Sequence, residues 1–248
     1  MGEAKFDAAA FARRFDHHDP QFGAHLNEVF RHMRAACPVA HTEAYGGFHV
    51  LTRYADVAQV VRDDAVWSLQ AGMSIPSNRK PGDPPWVLPG DLDPPHSFVY
   101  RKLLEPTVAP AALAAMEPDL RQLARELVDQ FIEKGEADLV ADLAAPLTAI
   151  ATLRMTGLPE EDWPHYVSER RTTARRKIDP EEDMRRVNER FLWTRQAFLD
   201  AIEKQRSQPV EGKIIARLLD TRIDGRPLEE WELIAILINF VAGGLEST

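Results

Sequence analysis

A mainly helical protein with a small β region is what this sequence predicts, and three observations carry the expectation. Apolar residues recur at helical spacing from residue 110 onward. Alternation of period two is clear only around residues 48–53. The stretch 228–241 is apolar on every face, which marks a helix buried inside a core rather than lying on one.

Residues 1–36 mix charged and apolar side chains without proline before Pro20, so a helix or two is expected, ending at the Cys37-Pro38 break. Tyr45-Gly46-Gly47 forms a turn between two short runs, and Phe48, Val50 and Thr52 alternate with His49, Leu51 and Arg53 as in a strand or hairpin. From Tyr54 the spacing of Val57, Val60 and Val61 is helical again, to about Asp63-Asp64. Residues 69–95 hold Pro76, Pro81, Pro84, Pro85, Pro89, Pro94 and Pro95, too many for a regular element. Long ordered loops of this kind often line binding sites. The best helix is 110–134, where Leu113, Met116, Leu120, Leu123, Leu127 and Phe131 make one stripe suited to a core, with Pro110 at its start and Gly135 past its end. Further helices are expected at 139–157, 160–174, 181–206 and 211–220, with a turn at Asp224-Gly225-Arg226-Pro227. No repeat, low-complexity tract or linker divides the chain, so residues 1–248 are expected to form a single domain.

The 248 residues carry 30 basic and 39 acidic side chains, a net charge of −9, which argues against a protein built to hold nucleic acid or an anionic membrane. A small neutral or cationic partner suits that charge better. Cys37 is the single cysteine, which rules out an intrachain disulfide and any multi-cysteine zinc or iron–sulfur site, as in a reducing cytoplasm. Acids occupy the N-terminal stretch where a signal peptide needs an apolar core, and Phe6 breaks a myristoylation signal. The most apolar run, Leu233 to Ala242, is interrupted by Asn239 and is about half the length a bilayer requires. A soluble, cytoplasmic protein without a membrane partner is the expectation.

Several stretches bear on chemistry. In VAGGLEST (241–248), Gly243 and Gly244 sit within an apolar helix, where each costs roughly 1 kcal/mol relative to alanine. Either something needs the space, with Glu246, Ser247 and Thr248 as polar groups in use, or the glycines end the helix and a solvated tail follows. Arg101-Lys102 reads most simply as a solvated helix face. His17-His18, between Asp16 and Asp19, suggests either a metal site or a solvated loop. RRTTARRK (170–177) reads as a solvated helix face before it reads as a seat for an acidic partner. Glu28 with Arg31, Glu182 with Arg185, and Glu203 with Arg206 have the spacing of helical ion pairs. No nucleotide-binding glycine loop or hydrolase nucleophile elbow is present.

VAGGLEST is similar to the oxygen-binding kink of the cytochrome P450 family, Ala/Gly-Gly-x-Asp/Glu-Thr, with Ser247 where threonine is usual. LDPPHSFVYRKLLEPTVAP (92–110) resembles the family's entry into the helix beneath the haem, Asp-Pro-Pro-Glu-His-x-x-x-Arg. Asp93, Pro94, Pro95, Arg101 and Pro106 match in register; His96 sits one position early, with Ser97 in the usual place of the histidine. Residues 37–68, 135–163 and 222–240 are similar in turn to the first strands and following helix, the middle helices, and the approach to the oxygen-binding helix. The resemblance covers most of the chain in the right order.

That resemblance implies an incomplete cytochrome P450 fold corresponding to the N-terminal half, in a soluble bacterial-type haem-thiolate monooxygenase that inserts one atom of dioxygen into a small organic substrate. It implies haem as cofactor and electrons from a redox protein such as a ferredoxin with its reductase. By position, Gly243 and Gly244 form the kink, Glu246 and Ser247 relay protons, and Arg101 with His96 meets the haem propionates. Ile75, Trp86, Val87 and Phe240 line the substrate pocket. The family's cysteine ligand and its Glu-x-x-Arg helix lie beyond Thr248. Cys37 precedes the first strand and reads as a packed thiol, so no residue here is assigned to the metal, and the chain alone is expected to be inactive. The alternative is a non-catalytic helical module that binds an apolar ligand or a protein partner through an exposed seam, expected at the all-round apolar helix 228–241.

Overall fold

The computed structural model describes residues 6–72, 74–77, 79, 83–167 and 180–246, and divides into two compact units, Met1–Asp83 and Pro84–Thr248. The architecture is mainly helical with two small antiparallel hairpins, as the sequence predicts.

In the first unit, α1 (Ala8–Arg13) and α2 (Pro20–Ala36) each begin at an aspartate that caps free backbone N–H groups. Asp7 accepts from Ala9 and Ala10, and Asp19 from Gln21, with Pro20 at the first helical position. Phe11 and Phe15 are buried among Phe22, Phe30 and Phe48, together with Val29 and Met33. The hairpin of β1 (Val39–Thr42) and β2 (Phe48–Leu51) joins this core through Ala40 and Thr42, whose hydroxyl donates to the Phe15 carbonyl at 2.8 Å. Val39 pairs with Leu51 and His41 with His49 across the ladder. The following helix, α3 (Tyr54–Arg62), buries no residue, and Val61 is 78% exposed. Its apolar spacing therefore marks a face without cover among the described residues. Cys37 is exposed rather than packed, because the helix ends there and its thiol turns back to the Val39 carbonyl at 3.3 Å.

In the second unit, a loop leads to α4 (His96–Leu104) and α5 (Pro110–Asp129). Wider turns over Leu139–Ala144 open α6 (Ala145–Thr156), followed by α7 (Pro180–Ser207) and α8 (Ile214–Asp220). A short hairpin, β3 (Arg222–Ile223) with β4 (Arg226–Pro227), occupies the expected turn and precedes α9 (Glu230–Glu246). The core gathers around α9: Leu233, Ile236 and Leu237 are buried with Leu153 of α6, Phe198 and Ile202 of α7, and Ile214, Ile215 and Leu218 of α8.

Three expectations need correction. The helix expected over 110–134 stops at Asp129, and a separate tight turn, Ile132–Lys134, follows. Its stripe is buried only at Leu123 and Leu127, while Leu113 is 47% exposed, so the apolar pattern runs past the part that is covered. Leu139–Thr156, not the stretch after Leu233, is long and apolar enough by length and composition to cross a membrane; Pro146, Ala149, Thr152, Leu153 and Thr156 bury one side of it in the protein. Of the helix expected over 160–174, a turn at Glu160–Asp162 and helix through 167 are seen; the remainder, and all of 170–177, lie outside the described residues.

Candidate functional site

Most sequence-predicted site residues fall on α9 and on the two segments hydrogen-bonded to it. At the start of α9, Glu232 is fully buried and every face of its carboxylate is occupied. Arg226 from β4 donates two parallel bonds, Nη1 to Oε2 at 2.6 Å and Nη2 to Oε1 at 3.0 Å. The Glu229 N–H reaches Oε2 at 2.7 Å, and the Tyr100 hydroxyl of α4 donates to Oε1 at 2.6 Å. A buried charge survives in a core only when it is paired in this way. Burial pushes the Glu232 carboxyl up, but the Arg226 pair, the Glu229 N–H and the Tyr100 hydroxyl outweigh it and hold its pKa below the ordinary value. Burial and the bonded carboxylate push Tyr100 up to about 12, and the bond to Glu232 raises Arg226 further. The available signal for this network was an acid adjoining the apolar run 233–237; its partners were not legible.

The other end of α9 carries the paired glycines. The helix continues through Gly243 and Gly244 to Glu246, so the glycines do not end it. A Cβ at Gly244 would overlap Thr152 Oγ1 of α6 and come within 2.8 Å of its Cγ2, whereas one at Gly243 would meet nothing within 4 Å among the described residues. Gly244 thus permits the close approach of α6 and α9. Glu246 is the last described residue of the helix, and Ser247 lies outside the described residues.

Tyr100 ties α4 to α9, and the next residue, Arg101, is exposed with no hydrogen-bond or ion-pair partner among the described residues. His96, at the start of α4, is exposed as well. An unpaired guanidinium is a ready seat for a carboxylate, so this residue fits a haem propionate. The loop before α4 is pinned from inside: buried Asp91 accepts the Trp86 and Val87 N–H groups at 2.9 and 3.0 Å, and the Leu88 N–H bonds to the Ala235 carbonyl of α9 at 3.2 Å. Trp86 is 44% exposed, with its ring 6.3 Å from Phe191 of α7, and Phe240 packs partly buried against the core. Trp86, Val87, Phe240, His96, Arg101 and both glycines therefore share the second unit. Ile75 belongs to the first, where its carbonyl accepts from Nε2 of His17 at 3.0 Å and of His18 at 2.9 Å. The histidine pair is a loop anchor. Among the described residues no group of three or more metal-ligating side chains gathers.

Of the expected i,i+3 ion pairs, Glu203 with Arg206 forms at 3.4 Å. Arg185 bonds to Glu189, one turn on at 2.9 Å, while the side chain of Glu182 lies outside the described residues, and Glu28 lies 3.8 Å from His25 Nδ1. A separate groove of about 880 Å³ lies where α5, α6 and α8 meet, walled by Met116, Leu120, Met155 and Ile214. It contains none of the sequence-predicted site residues.

No family model matches the chain. Among curated proteins it is similar to cyclomarin C epoxidase of Salinispora arenicola, 31% identical over 221 residues, covering 86% of this chain and 54% of that protein. It is also similar to linalool 8-monooxygenase of Pseudomonas putida, 30% identical over 243 residues, covering 90% of this chain and 57% of that protein. Among solved structures, a Mycobacterium marinum cytochrome P450 in complex with pseudoionone superposes with a TM-score of 0.74 at 20% identity, covering 90% of this chain and 57% of that one. A cytochrome P450 from Chondromyces apiculatus gives a TM-score of 0.74 at 21% identity, covering 95% and 58%. The chain spans somewhat over half the length of these relatives.

Proposed function

From a chain that carries the cytochrome P450 fold over the part it spans, and whose curated relatives are bacterial cytochrome P450s, we propose that it contributes the oxygen-side helix and the propionate-binding helix of a haem-thiolate monooxygenase. One observation carries the reading. The exposed, unpaired Arg101 lies on a helix that Tyr100 ties to the glycine-bearing helix α9. When bound, haem supplies the activation of dioxygen. Arg101, with His96, would hold the propionates. Gly243 and Gly244 would form the kink in the oxygen-side helix, and Glu246 with Ser247 would hold and relay protons there. Trp86, Val87 and Phe240 of the second unit would face a small organic substrate; electrons come from a ferredoxin-type partner in the cytoplasm. In this reading the thiolate is not Cys37, which precedes the first strand and whose exposed thiol donates to the Val39 carbonyl.

The test is haem titration of the 248-residue chain, alone and mixed with the complementary C-terminal segment of a relative such as linalool 8-monooxygenase. A thiolate-type haem spectrum that needs both pieces, and weakens with Arg101→Ala, supports the reading. Haem-dependent substrate turnover by the chain alone would overturn its inactivity in isolation.

A second reading, a non-catalytic module binding an apolar ligand or protein partner, draws on the groove along the exposed half of α5. The helix over 228–241, where that seam was expected, is largely buried instead. Binding of an apolar dye that Met116→Glu abolishes is the outcome this second reading requires.

A further inference from the structure

The hairpin of the first unit presents two imidazoles side by side on its exposed face. His41 of β1 stands opposite His49 of β2, with ring centroids 4.8 Å apart and ring planes inclined at 58°. The Thr52 N–H bonds to the Pro38 carbonyl at 3.0 Å, which makes 38 and 52 a hydrogen-bonded pair. Such pairs alternate along an antiparallel ladder, so 41 and 49 form a non-hydrogen-bonded pair, the kind whose side chains stand closest.

Two further features single out this pair. Glu43 Oε1 stands 3.4 Å from Nδ1 of His41. A carboxylate beside one ring nitrogen favours the tautomer that carries its proton there, and such an outer partner is what metal-bound histidines commonly have. The other nitrogen, Nε2, lies beside Gly47, where an added Cβ would come within 3.3 Å of it, so a side chain at 47 would crowd that nitrogen.

We propose that His41 and His49 form a surface binding site for one divalent metal ion of the zinc class, with Glu43 orienting His41 and water completing the coordination. Imidazole nitrogens bind such ions at about 2.0–2.1 Å, a span that two rings in this juxtaposition can share. An ion held across the two strands also ties β1 to β2, so binding stabilises the hairpin. The site lies in the first unit and does not depend on the monooxygenase reading.

The experiment is titration of zinc chloride into the 248-residue chain, followed by calorimetry and by the histidine ring resonances. Saturable binding of one ion that moves the His41 and His49 signals, and that His49→Ala removes, is the expected result. Glu43→Gln should weaken binding by about 10- to 100-fold. The double variant His17→Ala/His18→Ala controls for the other adjacent histidines and should bind as the parent does. Shifts confined to His17 and His18, unchanged binding in His49→Ala, or no saturable binding would each overturn the proposal.

Discussion

The two ends of helix α9 are opposites. Its first turn is closed by a carboxylate without solvent exposure and by donors from three directions. Near its other end one glycine would bring an added Cβ within 4 Å of no described residue, and the next one lets a neighbouring helix press close. Stability is concentrated at the end that carries no predicted chemistry. The proposed oxygen-side residues lie at the other end, where a side chain would take up room.

The difference is testable first at the closed end. Glu232→Leu should destabilise the chain by about 3 kcal/mol or more in urea unfolding, because it leaves Tyr100, the Glu229 N–H and Arg226 without their shared partner. The native pKa of Glu232 is depressed, so its contribution is complete above the ordinary carboxylate value and is lost as pH falls through the native one. Acid unfolding of Glu232→Leu should therefore be less steep than that of the parent.

Tyr100→Phe removes one bond to a charged acceptor and should cost about 2 kcal/mol. Because the native tyrosine titrates at about 12, above its ordinary value of 10.0, its contribution is intact below the ordinary value and fades as pH rises through the native one. Alkaline unfolding curves of parent and variant should converge there. Persistent separation would mean that the hydroxyl acts through packing rather than through its bond to Glu232.

Local periodicity made much of this fold legible: the strand at 48–51, the helix from Pro110 and the apolar helix of the core all follow from spacing that survives in the structure. What spacing does not encode is partnership at long range. Tyr100 and Glu232 are 132 positions apart, and nothing local in either marks the other. Likewise, the paired glycines announced a need for space, but the reason at Gly244 is Thr152 on another helix. The valines of α3 and the first half of α5 show the converse, a helical apolar pattern whose cover is not among the described residues. Arg101 was readable only through its family context, since an exposed arginine on a helix has no distinguishing pattern of its own.

The open end separates two adjacent glycines that a sequence cannot tell apart. Gly244→Ala should cost about 1–3 kcal/mol, the usual range for overpacking, since the new methyl must displace the Thr152 hydroxyl from its 2.8 Å bond to the Thr148 carbonyl. Adding Thr152→Ala should recover much of that loss, and a double-mutant cycle reads the coupling directly. Gly243→Ala carries the smallest effect and the opposite sign. Its methyl meets no described residue within 4 Å, so the gain in helix propensity, up to about 1 kcal/mol, should appear as added stability in thermal unfolding. If both alanines destabilise equally, Gly243 faces packed protein and its role as the oxygen-side gap fails. If only Gly244→Ala does, the two glycines differ in role, and only Gly244 serves the packing of α9 against α6.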